Sequence, residues 1–194
     1  QTPKDIDRIT ASLRSHAWHR VADPDPVLRD QLARQVTWRG VTQDPAPLAP
    51  HLDAADLAAI AAMAEAECAV ALPHVPRGDV VHLLKHGIVG AQGDYQNNPE
   101  SVLGYACLDG FTVPRTLMRI TTVEVRGVET LELFTDGYFR PGETIGLAAW
   151  EAAHALVEAE DPAKVTTYRS TKGSTPSRWA DDRNWPAVKA LYFG

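Results

Sequence analysis

Residues 131–139 read Leu-Glu-Leu-Phe-Thr-Asp-Gly-Tyr-Phe, and this stretch decides the fold that the sequence predicts. A short apolar run of this length is typical of a buried β-strand. The run ends in Asp136, and the next residue, Gly137, lets the backbone turn sharply at the end of a sheet. The pattern therefore predicts a strand that presents a carboxylate at the edge of a sheet.

A second acidic pair, Asp181-Asp182, follows a polar loop and precedes another apolar segment. Each of these acids either forms a turn by bonding to its own loop or serves as a metal ligand, and Asp181-Asp182 has the further alternative of a helix cap. Two oxygen donors from separate strand ends suit Mg²⁺ or Mn²⁺ better than zinc. A centre of this kind supplies a hydroxide that attacks phosphorus.

The neighbouring segments predict an antiparallel meander with short glycine turns. Residues 103–108 are the first expected strand. Residues 115–125 alternate between two faces and are the second, and residues 129–135 are the third. A last strand around residues 188–193 is expected at the edge of the sheet, because Pro186 precedes it.

Apolar residues at helical spacing, with caps and terminating prolines, predict the helices. The segments are 4–17, the stretch after Asp23-Pro24-Asp25-Pro26, the alanine-rich stretch from Asp53 or Asp56 to about Leu72, the stretch around His82 and His86, and 143–158. Helices placed before and between strands predict an α+β fold in layers. The length of 194 residues fits a single domain, 1–194, with a mainly helical segment at 1–76 and the sheet within 77–194.

Two histidine pairs have the spacing of metal ligands on a helix. His16 and His19 are three residues apart, and His82 and His86 are four apart. The glutamate of a zinc-protease motif is missing beside His82, since position 83 is Leu. We interpret both pairs as residues at helix ends rather than as ligands.

Composition limits the partners and the compartment. The net charge is −6 and no basic stripe is present, which argues against nucleic acid as the main partner. The sequence has no apolar run of membrane-spanning length and no signal-peptide pattern, so a cytoplasmic protein with no membrane partner is expected. The two cysteines, Cys68 and Cys107, are expected to be buried, reduced thiols.

Several short motifs, taken in their order along the chain, resemble those of a known family. They are Gln96-Asn97-Asn98, Leu108-Asp109-Gly110, Phe134-Thr135-Asp136-Gly137-Tyr138, Asp161-Pro162, Thr171-Lys172-Gly173 and Asp181-Asp182-Arg183. In this order they resemble the C-terminal half of the metal-dependent serine/threonine phosphatases of the 2C type, in particular a divergent bacterial branch. The resemblance covers roughly residues 77–192.

This resemblance implies an αββα sandwich with a two-metal Mn²⁺ or Mg²⁺ centre at one end of its sheets. By resemblance, Asp136 and Asp181 are metal ligands and catalytic residues, and Asp182 occupies the neighbouring position. Thr135 departs from the usual serine. The early acid and the second Asp-Gly of the family have no counterpart in residues 1–76. Either this chain is the C-terminal piece of a longer protein or of a split one whose companion chain supplies the N-terminal half, or the metal centre is incomplete.

Three functions are consistent with these features. The first is a metal-dependent hydrolase of phosphoserine, phosphothreonine or a small phosphoester, with Arg169, Lys172 and Arg183 contacting the phosphate from a flexible polar loop, 166–180. The alternative is a catalytically inactive, phosphatase-like module or subunit that binds a partner. A third is a hydrolase of another class, because a fold does not determine its chemistry.

Overall fold

The computed structural model describes residues 4–122, 124, 126–128, 130–133, 137–175 and 189–192. Within these ranges the chain forms α-helices α1 (Asp5–Arg20), α2 (Pro26–Arg39), α3 (Ala54–Ala71), α4 (Arg77–Ala91) and α5 (Leu147–Glu160). Short 3₁₀ turns lie at Ala46–Leu48, Gln92–Asp94 and Arg115–Leu117. The strands β1 (Thr130–Leu133) and β2 (Lys189–Tyr192) pair as an antiparallel ribbon.

Aspartates at the helix starts explain where α2 and α3 begin. The Asp53 carboxylate accepts the Asp56 N–H at 2.8 Å, and the Asp56 carboxylate accepts the Asp53 N–H at 3.1 Å, which is a reciprocal capping box. Asp25 caps α2 in the same manner by accepting the Val27 N–H at 2.9 Å. The helix expected from Asp53 or Asp56 to about Leu72 is confirmed.

Helices α1 to α4 enclose the main hydrophobic core. Each contributes apolar side chains from one face, and Ile9, Leu13, Val36 and Leu83 are completely buried there. Full burial of a side chain of this size contributes about 1.5–3 kcal/mol. The core therefore lies in the N-terminal half, and later segments reach it through a few buried residues: Tyr95, Leu103, Tyr105 and Val165.

The end of α2 crosses the backbone of α4 at a pair of glycines. Gly87 interrupts the helical geometry of α4 with φ 64° and ψ −170°, and Gly40 ends α2 with φ 75°. The Val41 N–H donates to the Leu84 carbonyl at 3.0 Å beside this crossing. A Cβ atom at Gly87 would lie only 2.4 Å from the Gly40 nitrogen. The two backbones touch where neither carries a side chain.

The layered αββα sandwich expected from the sequence is wrong for the described residues. Residues 103–108 contain only an isolated bridge, from Gln96 to Tyr105, and residues 118–122 form no strand. The alternating pattern over 115–125 predicts a strand with one buried face. Ile120 is nevertheless 72% exposed, so its side chain belongs to no buried face. The helices supply the core instead, and no partner strand lies beside this segment in the described part of the chain. The fold is helical, with one short ribbon.

Among the described residues, no helix combines the length and the apolar character that crossing a membrane requires.

Candidate functional site

The register of the ribbon relates the two segments that carry the predicted metal ligands. Leu133, the last residue of β1, lies opposite Lys189, the first residue of β2. In the sequence, Asp136 follows the end of β1 and Asp182 precedes the start of β2, and these two strand ends are paired. The predicted ligands Asp136, Asp181 and Asp182, and the predicted phosphate contact Arg183, lie outside the described residues.

Glu132 joins the ribbon to the start of α5. Its carboxylate accepts the Gly146 N–H at 2.7 Å and the Trp150 Nε1–H at 3.0 Å. Gly146 is the N-cap of α5, where free N–H groups and the helix dipole favour a negative charge. The contact fixes α5 against β1, four residues before Asp136. The sequence analysis missed this role, although an acid within an apolar strand signals a buried partner.

A second contact joins α5 to Tyr138, which follows Asp136 by two residues in the sequence. The Tyr138 hydroxyl donates to Glu151 Oε1 at 2.7 Å, and the Tyr138 ring meets the Trp150 ring edge-on with centroids 5.4 Å apart. Edge-to-face aromatic pairs of this kind contribute about 0.5–1.5 kcal/mol beyond burial. Helix α5 therefore contacts Glu132 and Tyr138, which stand on either side of Asp136 in the sequence.

Residues 161–175 form a hydrogen-bonded loop that includes the described part, 166–175, of the polar segment expected over 166–180. Its first residue, Asp161, accepts three backbone N–H groups, from Val165 at 3.1 Å, Thr166 at 2.9 Å and Tyr168 at 3.0 Å. Burial alone raises the pKa of Asp161, but the hydrogen bonds outweigh that effect and the pKa lies below its ordinary value. Side chains and backbone groups therefore hold the described part, 166–175, of the polar loop expected over 166–180, while its expected flexibility stays a prediction.

Arg14 of α1 makes the deepest of these anchoring contacts. Its guanidinium is fully buried and donates to the Ala163 carbonyl at 2.8 Å, the Lys164 carbonyl at 3.1 Å and the Ser170 carbonyl at 3.2 Å. Its other Nη atom donates to Asp30 Oδ1 of α2 at 2.6 Å. One side chain therefore joins two helices to a loop about 150 residues further along the chain.

The anchoring of this loop has a measurable dependence on pH. Substitution of Asp161 by Asn places an amide NH₂ among backbone donors, and we expect a loss of about 1–3 kcal/mol in the free energy of unfolding at pH 7. The folded pKa is lowered from 3.8, so the stabilisation is present above that value and is lost as the pH falls through the folded pKa. Urea unfolding of both proteins at neutral and acid pH tests this. A difference in stability that stays constant down to acid pH would refute the role of the carboxylate.

Arg169 and Lys172, the predicted phosphate contacts that the structure describes, both lie in this loop. The Arg169 guanidinium pairs with the Glu67 carboxylate of α3, and the other oxygen of Glu67 meets His16 Nε2 at 2.9 Å. Burial raises the pKa of Glu67, but the charge of Arg169 and the hydrogen bond from His16 outweigh it, so the net pKa is lowered. Lys172 is half-buried and also interacts with its surroundings. The structure brings Arg169 to α3.

The histidine pairs occupy the helices expected for them. His82 and His86 lie on α4 with ring centroids 4.8 Å apart, and His82 Nε2 meets Asp94 Oδ2 at 2.9 Å. His19 Nδ1 contacts the Ser15 carbonyl at 2.7 Å. Over the described ranges, no group of three His, Cys, Asp or Glu side chains is arranged to hold a metal ion. The expected combination of a metal site with a sandwich fold is therefore not supported by the described part of the chain.

Neither cysteine is in a disulfide. Cys68 is buried in α3, and Cys107 is half-buried in the segment after Leu103. Burial, with a contribution from the charge of Glu67, raises the pKa of the Cys68 thiol to about 11. A thiol with this pKa stays protonated at neutral pH and is a poor nucleophile.

Comparisons with protein-family models, with curated proteins and with solved structures found no match for this chain.

Proposed function

We propose that the chain is a metal-dependent phosphoester hydrolase in which Asp136 and Asp181 hold a Mn²⁺ or Mg²⁺ ion. The observation that carries the proposal is the register of the ribbon, because Leu133 and Lys189 face each other at one end. Asp136 lies three residues beyond Leu133, and Asp181 eight residues before Lys189. These lengths of chain span at most about 11 Å and about 29 Å, so chain length permits the carboxylates to meet.

The roles of the residues follow from the chemistry of hard cations. Carboxylate oxygens are preferred ligands of Mg²⁺ and Mn²⁺, and a metal of this kind supplies an activated water for attack on phosphorus. Asp182 is a further ligand in this proposal. Arg183 and Lys172 are placed to contact the phosphate by their positions in the motifs, and phosphoserine, phosphothreonine or a small phosphoester is the substrate. A companion chain is the proposed source of the ligands that residues 1–76 lack.

The test combines metal binding with turnover. Mn²⁺ is titrated into the chain by calorimetry, and hydrolysis of p-nitrophenyl phosphate is followed with and without the ion. We expect Asp136→Asn to lower Mn²⁺-dependent turnover by at least about 100-fold. Loss of a residue that only orients a metal ligand already costs about 10–100-fold in activity, and loss of the ligand itself costs more. Glu100→Gln is the control, since Glu100 is exposed in a turn and its substitution removes the same charge.

One observation favours a second function, that of an inactive partner-binding module. Arg169 pairs with Glu67 of α3, so this predicted phosphate contact is engaged within the chain. The module reading expects the folded chain to show neither Mn²⁺ binding nor turnover. It also expects Asp136→Asn to behave as the Glu100→Gln control does. Mn²⁺ binding that Asp136→Asn abolishes would exclude the module and support the hydrolase.

A further inference from the structure

An open groove lies between one face of α2 and the 3₁₀ turn at Ala46–Leu48, and we refer to it as the Trp38 groove. Its volume is about 500 Å³. Five residues of α2 and one of the turn line it: Gln31, Arg34, Gln35, Trp38, Arg39 and Pro47. The α2 residues cover about 12 Å of the helix axis, which is the length of about four residues of an extended peptide.

Positive charges outnumber negative ones at this groove. Asp30, the one acid of α2, lies behind it and is shared: Arg14 contacts its carboxylate at 2.6 Å, and Arg34 Nη1 lies 3.7 Å from the other oxygen. The second distance is too long for a hydrogen bond. Arg39 is exposed, and the described residues form no salt bridge with it. None of the described residues that line the groove is acidic, so two guanidinium groups face it with half of one carboxylate between them.

Trp38 supplies the apolar part of the groove. It is 38% exposed, although tryptophan is a residue type that is highly buried on average. Tryptophan and arginine are enriched among the residues that dominate the binding energy of protein–protein interfaces. Gln31 adds an exposed amide, which can both donate to and accept from a peptide backbone. The neighbouring Gln35 is already engaged, because its Nε2 donates to Gln43 Oε1 at 3.2 Å.

We propose that the Trp38 groove binds a short acidic peptide segment of a partner protein. An apolar side chain of the segment packs on the Trp38 indole, and its carboxylates contact the guanidinium groups of Arg34 and Arg39. These two arginines lie about 7.5 Å apart along the helix axis and on opposite sides of Trp38, so separate carboxylates of an extended segment reach them better than one small anion does. The site goes beyond the proposed hydrolase activity, since the ribbon contributes no residue to this groove.

Single-stranded nucleic acid also offers rings and negative charge, but the charges of this chain favour a peptide. A strand carries a phosphate on every nucleotide, and its affinity comes largely from contacts between phosphates and basic side chains. The groove has two arginines, in a chain of net charge −6. An acidic peptide with two carboxylates in contact matches that number without further repulsion from the rest of the surface.

Three matched peptides with blocked ends separate the contribution of the charges from that of the ring. Glu-Glu-Phe-Glu-Glu carries both, Gln-Gln-Phe-Gln-Gln lacks the carboxylates, and Glu-Glu-Ser-Glu-Glu lacks the ring. We expect calorimetric titration of the intact chain to show saturable binding of the first peptide, at least about tenfold tighter than that of either other peptide, because each of these lacks one kind of contact. Equal binding of the uncharged peptide, no saturation by the first peptide up to about 1 mM, or tighter binding of pentathymidylate would overturn the proposal.

Two exposed arginines provide a matched pair of variants. Arg39→Met removes one guanidinium from the groove, so we expect Glu-Glu-Phe-Glu-Glu to bind about tenfold more weakly while the binding of Gln-Gln-Phe-Gln-Gln is unchanged. Arg77→Met is the control, since the Arg77 side chain is 81% exposed on α4 and does not line the groove. Equal losses of affinity in the two variants would show that only the net charge of the chain matters, and would contradict the assignment.

A variant of Trp38 tests the apolar contact. We expect Trp38→Leu to weaken the binding of Glu-Glu-Phe-Glu-Glu by about tenfold and to leave that of Glu-Glu-Ser-Glu-Glu unchanged, because only the first peptide has a ring to pack on the indole. Circular dichroism checks that the variant is folded, and Arg39→Met tests the same groove without changing this packing. Unchanged binding of the first peptide to folded Trp38→Leu would rule out the Trp38 groove as its site.

Discussion

Substitution of Arg14 by Met is expected to lower the free energy of unfolding by about 3–5 kcal/mol, because it leaves Asp30 as a buried charge without its closest partner. The Arg14 side chain is 0% exposed and that of Asp30 only 4% exposed. The same substitution removes the donors that hold three carbonyls of the 161–175 loop. Chemical unfolding followed by circular dichroism measures the loss.

A double substitution separates the charge from the packing. Asp30→Leu combined with Arg14→Met removes both buried charges, and replacement of a buried ion pair by apolar side chains is often neutral or stabilising. We therefore expect the double variant to regain much of the stability that Arg14→Met loses. Arg39→Met, at the exposed end of α2, is the control and should change stability by less than about 0.5 kcal/mol. A double variant less stable than either single one would contradict this account.

Substitution of Gly87 by Ala is the second change with a large expected effect. The φ and ψ of Gly87, 64° and −170°, lie in a region that almost only glycine adopts, at a cost of about 1–3 kcal/mol for another residue. The added Cβ would also lie 2.6 Å from the Trp38 carbonyl oxygen and 2.4 Å from the Gly40 nitrogen. These are backbone atoms, so α2 and α4 must separate, and we expect a total loss of about 3–5 kcal/mol.

The same helix contains a glycine that serves as the control. Gly78 has no atom within 4 Å of the position of an added Cβ, and its backbone is helical. Gly78→Ala should therefore raise stability by up to about 1 kcal/mol, because alanine has the higher helix propensity. Thermal unfolding of the two variants gives opposite shifts if the backbone crossing exists. A loss at Gly87→Ala no larger than the change at Gly78→Ala would disprove the crossing.

The helices were predictable because their signals are local. Asp53 and Asp56 at the start of α3, the alanine-rich sequence after them and Pro73 beyond its end determine that helix without any tertiary contact. The crossing at Gly40 and Gly87 was not predictable in this way. It depends on two residues far apart in sequence, and an isolated glycine in a helical pattern does not reveal which backbone approaches it.

The strands expected over 129–135 and around 188–193 contain β1 and β2, whereas those expected over 103–108 and 115–125 are not formed by the described residues, because alternation alone does not provide a partner. Met118 and Ile120 have the spacing of a strand, yet both are exposed in the described structure, at 43% and 72%. A strand requires a neighbour that takes its hydrogen bonds and covers one face, and this information is not in the segment itself. The polar composition of residues 166–175 also did not reveal that Arg14 and Asp161 hydrogen-bond to the backbone of this loop.

The candidate ligands were selected from local patterns, an acid after a short apolar run and an acidic pair before another. The ribbon adds the pairing of Leu133 with Lys189, which no local pattern reveals. Glu132 was overlooked because it stands inside an apolar run, and its partners Gly146 and Trp150 lie well over ten residues away. Hydrophobic periodicity describes residues that are close together in the sequence, so it does not reveal contacts between residues this far apart.

The central claim is that Asp136 and Asp181 hold one cation, and calorimetric titration of Mn²⁺ into Asp136→Asn and Asp181→Asn variants tests it most directly. If the two carboxylates share an ion, each single substitution weakens the same Mn²⁺ binding event by at least about tenfold. The double variant then loses no further binding event, because both carboxylates belong to one site. If each single variant instead retains a separate Mn²⁺ binding event that only the double variant loses, the two acids serve different sites and the claim is wrong.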